Sequence, residues 1–236
     1  MSSRKLTRSV VAGAAAIAGA GGSYGIVSAT SSSSSSSPAA ASSGSAGGLG
    51  SGGGGSNARS GPAAGGASGT VGSVSTPKFT MTTSAGQKVT VDEASSTTYQ
   101  KGTSPASSSA ITTGKPVLVL GTTSGTTITA TQVIVQPTGG GSATSPAAKV
   151  IPFQRGAPAT SRQVGQIPAN WSQGSGTIVS GTAANKATEA ALATYPGGIV
   201  DRVVKLSNGE YNVHYIGVNW PHHVFVNQNF KVIGAE

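Results

Sequence analysis

From Thr30 to Gly69 the chain is built almost entirely of serine, glycine and alanine. Segments of that kind bury too little apolar surface to offset the entropy lost on ordering. The stretch is predicted to be a disordered, flexible spacer, and it confines folding to the later segments that carry β-branched and aromatic residues. The chain then divides into five regions: a signal peptide or N-terminal membrane anchor over 1–29, the spacer over 30–69, a small β-barrel over 70–137, a proline-containing linker over 138–176, and an α+β unit over 177–236.

The N-terminus has the form of an export signal. Arg4, Lys5 and Arg8 precede an uncharged run from Ser9 to Thr30, and Val27-Ser28-Ala29 supplies small residues at a cleavage site. Uncleaved, the run would span a bilayer with its cations on the cytoplasmic side; cleaved, it would release the chain. Both versions export the residues beyond Thr30. The absence of cysteine excludes a disulfide framework, a thiolate metal site and a cysteine nucleophile. The formal charge of +9 is scattered along the chain. Beyond Lys186, the cations Lys186, Arg202, Lys205 and Lys231 are balanced by Glu189, Asp201, Glu210 and Glu236. A concentrated phosphate-binding patch is not expected.

Between Thr70 and Pro137 short β-branched runs alternate with turn residues: 70–74, 78–83, 87–91, 116–121 and 126–135. Ser84-Ala85-Gly86 and Ser124-Gly125 sit where hairpins need them. Val117-Leu118-Val119-Leu120 is apolar at successive positions, as in a strand buried on both faces or closing a small barrel. The opening Gly69-Thr70-Val71-Gly72-Ser73-Val74, the hairpin from Thr82 to Val91, Ser96 to Tyr99 and Ile128 to Val133 together resemble a small β-barrel domain of unknown function in exported bacterial proteins. That resemblance implies an OB-like barrel and export, with no catalytic or ligand residues.

The second linker carries Pro146, Pro152, Pro158 and Pro168, and one Trp, Trp171, expected to dock on a neighbouring unit. Beyond Thr177-Ile178-Val179, Thr182 is a candidate cap for a helix over 183–195. Its Ala184, Ala187, Ala191, Leu192 and Tyr195 form a stripe of mostly small residues suited to lie close on a sheet. Strands are expected at 199–206 and 210–216 around Asn208-Gly209, then at 222–226 and 230–233. Tyr211, Val213 and Tyr215 alternate with Glu210, Asn212 and His214, so one face should meet the helix and the other water. Ala187 to Leu192, Tyr195 to Val200, Gly209 to His214 and Val224 to Val232 resemble the PepSY family. The resemblance covers 183–236 and implies a helix on an antiparallel sheet that binds or restrains proteins, often peptidases, near the envelope.

Six carboxylates and three histidines leave little for catalysis. Asp92 and Glu93 are neighbours whose side chains diverge on a strand, and no serine sits in a nucleophile elbow. His214, His222 and His223 are the concentrated chemistry, but His222 and His223 point to opposite faces and no carboxylate is close in sequence, so neither metal nor cofactor is expected. The candidate partner-binding residues are Trp220, His222, His223 and Phe225, read as an exposed aromatic and imidazole cluster. The expectation is an exported, non-catalytic envelope protein engaging a protein or peptide, with no nucleic-acid partner. The alternative, nucleic-acid or polyanion binding by the barrel, must use Phe79 and Tyr99 and a charge of +2, left by four lysines against Asp92 and Glu93.

Overall fold

The computed structural model describes residues 61–137, 150–158 and 160–236. The expected signal at 1–29 and the spacer up to residue 60 lie outside the described residues. Strand β1, Ala63–Ser75, organises the rest. It pairs antiparallel with β5, Pro116–Ser124, from Ala63 to Thr70. Its other edge is divided. Gly66 and Ala67 pair with β10, Ile199–Lys205, while Thr70 to Ser75 pair with β2, Lys78–Thr82.

The β2 branch closes a barrel. β2 pairs with β3, Lys88–Lys101; β3 runs parallel to β6, Thr127–Val135; and β6 returns to β5. A short β4, Ser104–Ala106, flanks β3. The β10 branch continues as a sheet through β11, Tyr211–Ile216, then β13, His223–Val226, and β14, Val232–Ala235, to β8, Val164–Gly165. β9, Thr177–Ile178, pairs with the end of β10. β7, Ile151–Pro152, pairs with β12, Val218–Trp220, in a separate two-stranded sheet.

The small residues that marked 63–69 as spacer are the reason it can be a central strand. A Cβ at Gly65 would lie 2.0 Å from the Val200 carbonyl oxygen, and one at Gly66 would lie 2.2 Å from that of Val119. Backbone approach this close admits glycine alone. The spacer boundary at 69 therefore falls inside β1, and Ala67 is wholly buried.

This joint also overturns the expected fold class. An OB-like all-β barrel followed by a PepSY-like α+β module is not what the chain forms. The described residues are mostly β, in a large mixed sheet with a single α-helix, α1, Gly181–Thr194. The expectation failed because it ended the barrel strand at Thr70; continued to Ala63, β1 carries hydrogen bonding straight into the C-terminal strands.

Alternation on β5 feeds two cores. Val117 and Val119 point into the barrel with Val71, Phe79, Val91 and Ile128. Leu118 and Leu120 point outward onto the helix-side core with Ala187, Leu192, Val213 and Trp220. The four-residue apolar run is thus buried on both faces, each side chain contributing about 1.5–3 kcal/mol. α1 begins after Ser180 rather than at a Thr182 cap, and Ser180 makes no side-chain cap bond. Its buried residues are Ala184, Ala187, Thr188, Ala191 and Leu192. Gly209, with φ of 85°, turns the β10–β11 hairpin while its N–H donates to the Leu206 carbonyl.

Candidate functional site

On β11 and β13, odd and even positions part company. Tyr211, Val213, Tyr215 and Val224 join the helix-side core. Asn212, His214, His223 and Phe225 occupy the opposite face, in register as Asn212 with Phe225 and His214 with His223. That face was expected to meet water. Instead Asn212 is buried, and Trp171 of the segment 160–176, expected as a linker, lies against its cross-strand neighbour Phe225 and against His223, making that segment a strap.

The strap is pinned at identifiable points. Val164 and Gly165 pair with Ala235 and Gly234, and the Gln166 N–H donates to the Ile233 carbonyl at 2.8 Å. Asn170 Nδ2 donates to Ser207 Oγ at 2.8 Å. Trp171 docks as anticipated for an isolated linker Trp: its ring lies 4.9 Å from that of His223 and 5.2 Å, edge-on, from that of Phe225. Its Nε1 is buried without a hydrogen-bond partner.

The structure corrects the expected exposed cluster of Trp220, His222, His223 and Phe225. Trp220 and Phe225 are both 0% exposed. Trp220 meets Tyr195 edge-on at 5.5 Å, lies 4.7 Å beneath the Arg162 guanidinium, and donates Nε1–H to the Arg162 carbonyl at 2.7 Å. A large aromatic gains more from enclosure with its polar tip satisfied than from standing in water. His222 and His223 remain partly exposed, and the third histidine, His214, joins them.

His214 is held from below by a β-bulge. Between β10 and β11, Val200 pairs with Tyr215 and Arg202 with His214, leaving Asp201 as the extra residue. Bulges re-aim side chains. Here the Asp201 carboxylate reaches both neighbours: Arg202 donates to Oδ2 at 2.9 Å, and His214 Nδ1 lies 2.5 Å from Oδ1. No sequence spacing signals this contact, since bulge and register together create it.

His223 Nδ1 lies 3.1 Å from Asn212 Oδ1. The amide oxygen only accepts, so Nδ1 carries the proton and Nε2 keeps its lone pair. Burial, then His214, His222 and Arg202, hold His223 down at about 3 against a smaller opposing effect of Asp201, so the ring is neutral at physiological pH. Between strap and sheet opens a cleft of about 450 Å³, walled by Arg162, Gln163, Trp171 and Gln173 on one side and by the histidines and Glu236 on the other. Gln163 Nε2 donates across it to Glu236 Oε2 at 3.2 Å. Among the described residues, no group of three or more His, Asp or Glu side chains is arranged to hold a metal ion.

On the barrel, Phe79 is buried in the core and Tyr99 donates its hydroxyl to Glu93 at 3.0 Å. Burial and that carboxylate push Tyr99 up to about 12. Lys78 is paired with Asp92 at 3.0 Å. The aromatic and basic groups that strand recognition would need are thus partly committed elsewhere.

No family model, curated protein or solved structure matches this chain. Among the described residues, no helix is long and apolar enough to cross a membrane.

Proposed function

We propose that this chain is an exported, non-catalytic binding protein of the cell envelope that engages a protein or peptide partner at the histidine cleft. The observation that carries the reading is the cleft itself. Polar side chains from the strap, β11, the turn into β13, β13 and the residue after β14 converge on one opening of about 450 Å³. That volume is in the range of sites that take a small ligand or a few peptide residues. Neutral imidazole, glutamine amide and carboxylate groups side by side offer both donors and acceptors, the mixture that backbone amides require.

Binding is favoured over turnover by how the groups are committed. Asp201 is held by Arg202 and His214 together, and His223 Nδ1 is taken up by the Asn212 amide. Export rests on Arg4, Lys5, Arg8 and the uncharged run after them.

The test is an NMR titration of the folded protein with a mixture of short unstructured peptides, and separately with a single-stranded oligonucleotide. Shifts confined to His222, His223, Gln173 and their neighbours, lost in His222→Ala, are expected with peptides. Salt-sensitive shifts on the barrel with the oligonucleotide alone would replace this reading by the polyanion one.

A further inference from the structure

The strap and the sheet face beneath it differ in how firmly they are held. Over 160–176 Pro168 is the one buried residue, and most of the others are exposed. The strand pairing of the strap is two residues long. Beneath it lie groups that water would otherwise reach: Phe225, edge-on to Trp171, and His223 against the same ring. Segments with few buried contacts open at lower free energy than the core they cover.

All three histidines of the chain lie in the cleft that the strap walls. The charged groups facing them are Asp201 and Arg202 from β10, Glu236 after β14, and Arg162 from the strap. A proton taken up by His223 adds positive charge beside Arg202 under the strap.

We propose that the strap 160–176 is an acid-released cover: protonation of His223 beneath Trp171 lifts it from the sheet, baring Phe225, His223 and the hydrogen-bonding edge of β14. The bared strand edge and aromatic are suited to an extended peptide, which would pair with β14 where Val164 and Gly165 now do. The proposal concerns the cleft of the binding reading and rests on that reading for its biological consequence. The opening itself is measured without any partner.

The sign is set by His223. Under the closed strap it is held at about 3. With the strap open and water admitted, burial, the largest cause of that lowering, is relieved and the ring moves up toward the ordinary imidazole value of about 6.5. The open form therefore binds more protons between those values, and opening is favoured about tenfold for each unit of acidification in that window. Above pH ~6.5 the two forms bind equally and the strap stays shut.

The experiment is hydrogen exchange of the whole protein at pH 7.5 and pH 4.5, expressed as protection relative to intrinsic rates. Protection at the Gln166 amide, which donates to Ile233, is expected to fall by up to about a hundredfold at pH 4.5, while Val203 and Val213 stay protected. In His223→Phe, which keeps a ring against Trp171, the fall is expected to shrink to a few-fold. Unchanged protection of the strap, or a loss shared equally by Val203 and Val213, overturns the proposal. So does an undiminished acid response in His223→Phe. Should that variant not fold, the imidazole signals of the native protein decide: a His223 ring that protonates near pH 6.5 while the strap remains protected is equally fatal. Each of these outcomes leaves peptide binding at pH 7.5 standing or falling on its own titration.

Discussion

The two faces of the C-terminal sheet are covered in opposite ways. On one, α1 lays Ala184, Ala187, Ala191 and Leu192 on Val203, Val213 and Val224, with Tyr195 and Trp220 completing the core. On the other, an irregular strap lies against His223 and Phe225 through the Trp171 ring and is held by a few hydrogen bonds, beside the Asp201–His214 pair. The same strands supply both faces, because neighbouring residues point to opposite sides. The helix face holds the fold through apolar area removed from water. The strap face has less of that gain and gathers polar and imidazole groups instead. The apolar core and the polar cleft are thus divided between alternate positions of β11 and β13.

The comparison breaks most completely at the strand on which both branches depend. Gly66→Val places a side chain where its Cβ meets the Val119 carbonyl oxygen at 2.2 Å. It should abolish the cooperative transition or cost more than about 4 kcal/mol, read by thermal or urea unfolding followed by circular dichroism. A mild effect would mean that β1 does not join the two branches as described.

A smaller loss sharpens the contrast. Leu192→Ala on the helix face removes a side chain only 3% exposed and should cost about 2–5 kcal/mol in urea. Trp171→Ala on the strap face should cost about 0.5–1.5 kcal/mol, the scale of an aromatic contact. Its larger signature is local: exchange at Gln166 should rise while α1 keeps its protection. Equal losses at Leu192 and Trp171 would erase the distinction between the faces.

Much of the β content was readable. The Asn208-Gly209 turn, the alternation from Tyr211 to Tyr215 and the apolar run from Val117 to Leu120 each carry a local signal that tertiary contacts reinforce. The helix was readable for the same reason, down to its stripe of alanines. The candidate site was legible only in part. His222 and His223 stood out as unusual residues in a short turn, and His214 as the polar side of a strand. Asp201 and Arg202 did not, because their role arises from one extra residue in a ladder. Trp220 and Phe225 were misplaced, since an aromatic beside polar residues reads the same whether a distant segment covers it or not.

By itself the sequence determined the strands with β-branched or alternating runs, such as β5, β6, β10 and β11, the turns between them, and which faces of α1 and β11 would be apolar. Those properties depend on side-chain periodicity and turn chemistry within a few residues. Tertiary structure alone decided that Ala63–Gly69 is a central strand rather than spacer, that the barrel and the C-terminal strands share one sheet, and that 160–176 closes over the histidines. The physical reason is common to all three. Glycine and small polar residues are as suited to a solvated tether as to close backbone packing, and only the position of a distant strand tells the two apart.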